Sequence, residues 1–355
     1  GNDVIDFSGT TSQSIQLNLA LLGVPQTVNP NLVLTINGEG FEEVFGGTLD
    51  DTIRGNSNNN FLHGGLGADL LDGKSGNDRL DGGPGNDELE GGPGTDRIDE
   101  TANTNFILSD GSLVRSNGET DQLNSIEQAI LRGGVSANPF DVSGWSGIGG
   151  LSGNDGAGAA VDTVIAANNT NFTLTNAQLQ RVGLGTLALI SIEKAVLSGG
   201  PSDNTINASA FTGSTTLTGG DGNDIIIGGS GTDTIHGGLG DDTLTGGPGN
   251  DTLDGGVGVD LVSETRNPAY FVLQNDQLVI DLTAALGDEE KDTLAGFEKA
   301  DLTGGAAFNV FDLSGWTVGT AAVHGGGSFD ALKVGLEALL YGTDAGATDP
   351  LLISS

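Results

Sequence analysis

Apolar side chains recur every ninth residue over two stretches of the chain. From residue 46 the sequence divides into the nonapeptides GGTLDDTIR, GNSNNNFLH, GGLGADLLD, GKSGNDRLD, GGPGNDELE and GGPGTDRID, and from residue 219 into GGDGNDIII, GGSGTDTIH, GGLGDDTLT, GGPGNDTLD and GGVGVDLVS. The eighth position is apolar: Ile53, Leu71, Leu80, Leu89, Ile98, Ile226, Ile235, Leu244, Leu253 and Val262. Because successive side chains of a strand point to opposite faces, each nonapeptide predicts a strand of about three residues with one inward side chain. The glycines before it predict a tight turn.

Apolar burial alone cannot hold such short strands together. One buried side chain contributes ~2 kcal/mol, whereas ordering the backbone costs ~1–2 kcal/mol per residue. The aspartate at the sixth position is the candidate for stabilising the turns, and it stands at Asp51, Asp69, Asp78, Asp87, Asp96, Asp224, Asp233, Asp242, Asp251 and Asp260. If two nonapeptides form one coil, aspartates of alternate nonapeptides lie ~4.8 Å apart. They repel each other unless a cation lies between them, and an all-oxygen site with two carboxylates favours calcium over zinc.

The pattern Gly-Gly-x-Gly-x-Asp-x-apolar-x resembles the repeats-in-toxin (RTX) family of calcium-bound β-rolls, over residues 46–99 and 219–263. The resemblance implies an all-β fold, a right-handed parallel β-roll or β-solenoid with calcium in stacked glycine-rich turns. In that family one turn gives the carbonyls of positions two and four with its aspartate. The turn two nonapeptides later gives the carbonyls of positions one and three with its own aspartate.

Carried over to this sequence, the family pattern implies six aspartate pairs and hence about six or more calcium ions. The pairs are Asp51/Asp69, Asp69/Asp87, Asp78/Asp96, Asp224/Asp242, Asp242/Asp260 and Asp233/Asp251. The implied carbonyl ligands are Gly47, Leu49, Gly64, Leu66, Gly65, Gly67, Gly82, Pro84, Gly76, Gly91, Pro93, Gly220, Gly222, Gly237, Leu239, Gly229, Gly231, Gly246, Pro248, Gly238, Gly240, Gly255 and Val257.

Several residues depart from the family pattern. Asn60 replaces an aspartate, and Lys74 and Leu49 each replace a glycine. We expect the pairing of Asn60 with Asp78 to be weak or empty. A lone nonapeptide, GGGSFDALK, begins at residue 325, and whether its Asp330 binds calcium stays open.

A longer unit occurs three times between and after the nonapeptides, as SIEQAILRGGVSANPFDVSGW, SIEKAVLSGGPSDNTINASAF and GFEKADLTGGAAFNVFDLSGW. In each copy a glutamate precedes Gly-Gly by six positions: Glu127, Glu193 and Glu298. Asparagine takes the place of the turn aspartate at Asn138, Asn204 and Asn309. An aromatic residue follows Asp96, Asp162 and Asp260 by ten positions, at Phe106, Phe172 and Tyr270. We interpret these units as larger, metal-free coils whose turns stack by amide hydrogen bonds.

These patterns predict five segments along the chain. They are an N-terminal β segment continuing a truncated repeat (1–45), a first calcium β-roll block (46–99), metal-poor coils with two long repeats (100–218), a second calcium β-roll block (219–263), and a third long repeat with the C-terminal segment (264–355).

Composition and charge narrow the classes of partner. Aspartate and glutamate number 48 against 12 lysines and arginines, for a formal net charge of −36. So acidic a chain repels nucleic acid and anionic lipid and attracts cations. Cysteine is absent, which excludes disulfides and thiolate metal sites, and no apolar run approaches the ~18 residues of a membrane helix.

The remaining side chains do not favour catalysis. The histidines at positions 63 and 236 fall at the ninth position of the nonapeptide, which we expect to face solvent. The chain has only three histidines, and because they are scattered along the sequence we do not expect one to act as a catalytic base. Trp145, Trp316 and Phe211 occupy equivalent places in the long repeats, where core packing is favoured over a carbohydrate platform. We therefore predict no enzyme activity for the chain itself.

The function that these patterns favour is a secreted, calcium-dependent structural or adhesive module of a bacterial cell-surface protein, surface layer or extracellular filament. The alternative is the non-catalytic calcium-binding part of a secreted enzyme such as a protease, lipase or polysaccharide epimerase. We expect an extracellular or cell-surface location, reached by a type I secretion route. Residues 1–6, GNDVID, are the last six residues of a nonapeptide. We expect either that residues precede Gly1 in a longer chain or that a neighbouring chain covers this edge head to tail in a filament.

Overall fold

Short β-strands and glycine-rich turns make up the structure, a computed structural model. It describes residues 3–38, 40–153, 160–267, 270–281, 289–326, 331–334, 340–344 and 351–353. None of these residues is helical, so this part of the chain offers no helix that could cross a membrane. Asp330 and the three residues before it lie outside the described residues.

The chain divides into two units, Gly1–Ile165 with Leu184–Ile192 and Ala166–Gly183 with Glu193–Ser355. The first unit contains β1 (Asp3–Asp6), β2 (Gln16–Asn18), β3 (Pro25–Asn29), β4 (Leu32–Thr35), β5 (Phe41–Phe45), β6 (Thr52–Arg54), β7 (Phe61–His63), β8 (Leu70–Asp72), β9 (Arg79–Asp81), β10 (Glu88–Glu90), β11 (Arg97–Thr101), β12 (Phe106–Ser109), β13 (Ser112–Arg115), β14 (Thr120–Asn124), β15 (Gln128–Arg132), β16 (Pro139–Gly144) and β17 (Ile148–Ser152).

Strand β18 (Thr163–Ala167) crosses the boundary between the units. The second unit has β19 (Phe172–Thr175) and β20 (Gln178–Arg181), after which β21 (Thr186–Ile190) belongs to the first unit. The second unit continues with β22 (Lys194–Gly200), β23 (Thr205–Ala210), β24 (Ser214–Asp221), β25 (Ile225–Ile227), β26 (Asp233–Leu239), β27 (Thr243–Thr245), β28 (Thr252–Val257), β29 (Leu261–Thr265), β30 (Tyr270–Gln274), β31 (Gln277–Asp281), β32 (Glu289–Ala295), β33 (Lys299–Thr303), β34 (Val310–Gly315), β35 (Thr320–Gly325), β36 (Ala331–Lys333), β37 (Leu340–Asp344) and β38 (Leu351–Ile353).

Parallel pairing in the first unit joins each nonapeptide strand to the strand two nonapeptides later. Strands β6, β8 and β10 bring Ile53, Leu71 and Leu89 opposite one another. On the other side β7, β9 and β11 align Leu62, Leu80 and Ile98. All six side chains are buried. One coil therefore contains two nonapeptides, with one inward apolar side chain per strand.

The second unit repeats this arrangement with its own strands. Leu217, Ile235 and Leu253 align through β24, β26 and β28. Ile226 aligns with Leu244, and Leu244 with Val262, through β25, β27 and β29. These rows are parallel ladders within an all-strand structure. The predicted parallel β-roll is confirmed.

The first and third long repeats enlarge a coil by inserting an antiparallel hairpin. Strand β13 runs antiparallel to both β12 and β14, and β14 then rejoins the parallel stack with Leu123 opposite Leu89. Strands β30, β31 and β32 do the same, with Leu294 opposite Leu253. The ladder therefore continues across an insertion.

The aromatic landmarks of the long repeats pack in the core, with one change from the sequence interpretation. The rings of Phe106 and Phe140 stack with centroids 5.5 Å apart. In the third copy it is Phe271, stacked 5.0 Å from Phe311, that takes this place. Tyr270 is 43% exposed, so the equivalence drawn at ten positions after Asp260 is wrong by one residue.

Trp145, Trp316 and Phe211 are buried, as core packing requires. His63 differs from the expected solvent-facing position, because its side chain is only 17% exposed. Its ring stacks on Phe45 with centroids 4.1 Å apart. Phe45 on the neighbouring strand and Phe61 on the same strand both contact the ring, and the nonapeptide pattern specifies neither aromatic side chain.

Candidate calcium centres

Aspartate side chains form columns through the buried turns of the first unit. The ten aspartates of the two nonapeptide blocks are each at most 2% exposed. Asp69 Oδ1 accepts the backbone N–H of Asp51 at 2.7 Å, and Asp87 Oδ1 accepts that of Asp69 at 2.9 Å. In the second column Asp96 Oδ1 accepts the N–H of Asp78 at 2.7 Å. Each bond spans 18 residues, the length of one coil.

The second unit builds the same columns. Asp242 Oδ1 accepts the N–H of Asp224, and Asp260 Oδ1 accepts that of Asp242, both at 2.8 Å. Asp251 Oδ1 accepts the N–H of Asp233 at 2.9 Å. Each of the six aspartate pairs named from the sequence is therefore brought into direct succession.

The second carboxylate oxygen of most of these aspartates has no hydrogen-bond donor. Oδ2 is buried and without a hydrogen-bond partner in Asp69, Asp78, Asp87, Asp96, Asp224, Asp242, Asp251 and Asp260. Asp51 and Asp233 are the exceptions, because their Oδ2 atoms accept the N–H of Gly47 at 2.5 Å and of Gly229 at 2.6 Å. A buried carboxylate oxygen without a partner is destabilising, so the columns are chemically incomplete without a cation.

Glycine lets backbone carbonyls approach these carboxylates. A Cβ atom on Gly64 would collide with Asp69 Oδ2 and lie 2.6 Å from the carbonyl oxygen of Gly82. Gly65 has a φ of +107°, and a Cβ there would collide with the carbonyl oxygen of Gly47. The same steric exclusion recurs wherever glycine stands at the first or second position of the other nonapeptides, whereas Asn56 and Lys74 take the second position in two of them. At the glycine positions a side chain would prevent this close stacking of oxygen-rich turns.

Several of the implied carbonyl ligands already accept a backbone hydrogen bond from the neighbouring turn. Six such N–H···O=C bonds measure 2.8 to 3.2 Å. The donor and acceptor residues are Leu66 to Gly47, Gly65 to Gly82, Gly67 to Pro84, Gly76 to Pro93, Gly222 to Leu239 and Gly240 to Val257. A carbonyl oxygen carries a second lone pair, so these bonds leave one acceptor site on each. The side chains of Leu66, Leu239 and Val257 are exposed, and only their backbone faces the turn stack.

Burial makes the aspartate columns unfavourable for negative charge. The pKa values of Asp69, Asp78 and Asp87 are raised to about 7, first by burial and then by the charge of neighbouring acidic residues. Burial likewise raises the pKa of Asp251 to about 7 and that of Asp242 to about 6. Without a cation these carboxyls take up protons near neutral pH.

The donor set fits calcium. No cluster of three or more histidine, cysteine, aspartate or glutamate side chains able to hold a metal occurs among the residues that the structure describes. A site in the columns would combine two carboxylates with backbone carbonyls. Such a set of hard oxygen ligands is the type that calcium prefers. A bound calcium ion would supply the positive charge that the orphaned Oδ2 atoms lack.

Four acidic residues that the sequence interpretation did not assign to sites extend the columns beyond the nonapeptides. Asp121 and Asp292 accept the backbone N–H of Asp87 and Asp251 at 3.2 and 3.1 Å, over 34 and 41 residues. Glu127 and Glu298 accept the N–H of Asp96 and Asp260 at 2.9 and 3.0 Å. The fixed spacing of the two glutamates from Gly-Gly was a usable signal. The two aspartates follow hairpins of unequal length, which hides their phase.

The asparagine turns stack differently from the expected amide pairing. Asn138 and Asn204 donate their backbone N–H to Asp162 Oδ1 at 2.6 Å and Asp224 Oδ1 at 2.7 Å. Asn60 likewise donates to Asp78 Oδ1 at 2.7 Å, while its own Oδ1 accepts from Asn56. Each of these three asparagines therefore stacks against an aspartate. The contact needs only the backbone N–H of the asparagine, which donates to the aspartate Oδ1.

One family model matches the residues that form the aspartate columns. The family described as the RTX calcium-binding nonapeptide repeat matches residues 36–71, 45–80, 72–99, 209–244 and 227–262. Among solved structures, the extracellular lipase LipA from Serratia marcescens is similar, at 20% identity and a TM-score of 0.22. The match covers 70% of this chain and 38% of the lipase chain. A search of curated proteins gave no match.

Proposed function

We propose that this chain, which carries RTX calcium-binding nonapeptide repeats, is a calcium-dependent structural or adhesive module of an extracellular bacterial protein. The observation that carries the proposal is the distribution of the orphaned carboxylate oxygens. They recur from turn to turn along whole columns, instead of converging on one centre. Ions in such a row would link each coil to the next, which suits a protein that must hold a rigid spacing.

The charge balance supports an extracellular location. With a net charge of −36, the chain repels itself until cations neutralise it. Extracellular calcium modules bind at ~10⁻⁴–10⁻³ M, well above cytosolic concentrations of free calcium. We therefore propose that the chain stays unfolded in the cytosol, leaves by a type I secretion route, and folds outside. We also propose that the chain is part of a cell-surface protein or a surface layer.

The location of the folded protein on or outside the cell is a test of this function. Cells grown in millimolar calcium are labelled with an antibody against the chain and examined by immunogold electron microscopy. A structural or adhesive module should label the cell surface or a matrix attached to it, and washing with a calcium chelator should release the label. Protein found only in the medium, in a complex with hydrolase activity, would support the rival role as the non-catalytic part of a secreted enzyme.

Head-to-tail association into a filament is a further part of the proposal. Parallel strands at the end of a roll carry unpaired backbone groups that a second copy could continue, and such a contact need not close into a ring. Negative-stain electron microscopy of native material, with and without millimolar calcium, examines this directly. Isolated short particles at all protein concentrations would rule out the filament.

A further inference from the structure

Arg115 is a buried cation at the end of the first aspartate column. It lies at the end of β13, in the hairpin inserted after the last nonapeptide, and its side chain is 2% exposed. Its guanidinium bonds to Glu100 at 2.9 Å and to Asp121 at 2.6 Å. Both acidic side chains are themselves buried. Asp121 is the residue that accepts the N–H of Asp87 and so continues the column.

The guanidinium also binds two backbone carbonyls of the turn that contains Asp87. Its Nη2 donates to the carbonyl of Gly83 at 3.1 Å, and its Nη1 donates to the carbonyl of Gly85 at 3.2 Å. These are the second and fourth positions of the nonapeptide GGPGNDELE. They are the positions whose carbonyls the RTX pattern assigns to calcium. Arg115 therefore occupies ligands that a calcium ion would otherwise take.

The contacts on the other side of the guanidinium complete the likeness to a metal site. Nη1 and Nη2 donate to Oδ1 and Oδ2 of Asp121 at 3.2 and 2.6 Å. An ion between Asp87 and Asp121 would bind the carboxylate of the later turn in the same way. One coil earlier, between Asp69 and Asp87, the corresponding Oδ2 atoms lack a hydrogen-bond partner.

The second unit has Ile280 at the hairpin position that corresponds to Arg115, although Arg266 brings a positive charge near Asp251 from elsewhere in the chain. Arg115 pairs with Phe106 across its hairpin, and Ile280 pairs with the corresponding Phe271. Ile280 is buried and brings no charge to the column. Arg266, which comes from another segment, contacts Glu264 at 2.9 Å and Glu290 at 3.5 Å. The guanidinium that bridges Gly83, Gly85 and Asp121 is thus a feature of the first unit and not a necessity of the hairpin.

We propose that the Arg115 guanidinium substitutes for a calcium ion between Asp87 and Asp121 and ends the first calcium column. The guanidinium is permanently charged and carries five donors in a planar fork, so it can join carbonyls and a carboxylate at one point. It holds the last turn without requiring calcium. The inference rests on the proposed calcium sites, and it predicts a latent site that appears when the guanidinium is removed.

Calcium stoichiometry tests the proposal. The full chain, Arg115→Gln and the control Arg54→Gln are compared by equilibrium dialysis in millimolar calcium. Arg54 is an exposed arginine that contacts Asp72 at 3.8 Å, so its removal should leave the number of bound ions unchanged. Arg115→Gln should bind one more calcium ion per chain than the wild type. Adding Asp121→Asn to Arg115→Gln should abolish the extra ion.

The melting temperature supplies a second readout. In limiting calcium Arg115→Gln should melt well below the control, and saturating calcium should restore more of its stability than it adds to the control. A stoichiometry equal to or below that of the wild type would overturn the proposal. So would an Arg115→Gln chain that stays unfolded in millimolar calcium, because an ion should replace the lost charge. A wild type that binds no calcium would instead contradict the proposed function.

Discussion

At the scale of single residues, the two carboxylate oxygens of the aspartate at the sixth position have different roles. Oδ1 of Asp242 holds the backbone of the preceding coil through the N–H of Asp224. Oδ2 of the same residue is buried without a donor. The first oxygen is satisfied by the protein and the second is free for a cation. An asparagine at this position lacks the charge needed for the second role, and Oδ1 of Asn60 and of Asn138 accepts an N–H of its own turn instead.

Substitution within one column should show this division. Asp242 stands between Asp224 and Asp260, so Asp242→Asn should disturb two calcium sites. Asp224 is preceded by Asn204, so Asp224→Asn should disturb the one site that it shares with Asp242. Calorimetric titration should find about two ions lost in the first variant and about one in the second, because calcium sites depend on carboxylate charge. Equal losses would contradict the assignment of sites to successive pairs.

The same comparison cannot be made with Asp251. A site count based on the nonapeptides alone places Asp251 at the end of its column, where its loss should affect one site. In the structure Asp251 is followed by Asp292, whose Oδ1 accepts its N–H at 3.1 Å. The hairpin therefore provides Asp251 with a second acidic neighbour.

At the scale of elements, each three-residue strand contributes one side chain to the core and depends on its neighbours above and below. Leu244 of β27 lies opposite Ile226 on one side and Val262 on the other, and it is fully buried. The flanking residues of such strands are partly exposed. The strand is held by its place in the stack, because a three-residue strand has little stability of its own.

A matched pair of substitutions should separate the core position from its neighbours. Leu244→Ala should lower the free energy of unfolding of the calcium-loaded protein by ~2–5 kcal/mol, because it leaves a cavity in the row. Ile225→Ala removes an exposed side chain of β25 and should change the free energy of unfolding by less than ~0.5 kcal/mol. Denaturant titration followed by circular dichroism measures both. Similar losses for the two variants would contradict the assignment of the eighth position to the core.

The aspartate columns should also set the pH dependence of the metal-free protein. Burial raises the pKa of Asp69, Asp78 and Asp87 to about 7, above the ~3.9 of an unfolded aspartate. The folded state then binds more protons than the unfolded state between these values, so stability is present at low pH and lost as the pH rises through about 7. With calcium bound, the carboxylates must be deprotonated, and acid should destabilise the protein instead.

The melting temperature should depend on pH in opposite directions with and without calcium. Thermal melts at several pH values from 5 to 8, in metal-free and in calcium-containing buffer, test this. The melting temperature should fall with rising pH in the metal-free series and rise in the calcium series. A metal-free protein whose melting temperature rises over that range would show that the columns do not titrate as the buried carboxyls require.

At the scale of the whole molecule, the chain combines a high negative charge with a thin apolar core. The net charge of −36 opposes compaction, and strands of three residues such as β6 and β27 bury one apolar side chain each. Cation binding should therefore supply much of the free energy of folding, because ligands gathered in the folded state are dispersed in the unfolded chain.

Circular dichroism with and without a chelator should follow this coupling. We expect the β signal to develop as calcium rises through ~10⁻⁴–10⁻³ M. Magnesium at the same concentration is the control, and it should be much less effective because it demands octahedral geometry and retains its water ligands. An equal β signal in chelator and in calcium would contradict calcium-coupled folding.

The local repeat by itself determined the strands, the inward side chains and the aspartate pairs. Ile53 and Leu71 could be placed in one row, and Asp51 and Asp69 in one column, because a fixed spacing of 18 residues brings each repeat onto the next. Turn glycines and period-two alternation act over a few residues, so the sequence carries their consequences directly.

Only the tertiary structure decided where the columns end. Asp121 reaches Asp87 over 34 residues and Asp292 reaches Asp251 over 41, because hairpins of different lengths return the chain to the stack. Arg115 then meets Gly83 and Gly85 across the same hairpin. Contacts of this kind depend on how far an insertion folds back, and no periodic pattern in the sequence encodes that distance. The coil is therefore a local property of the sequence, whereas its termination is a property of the fold.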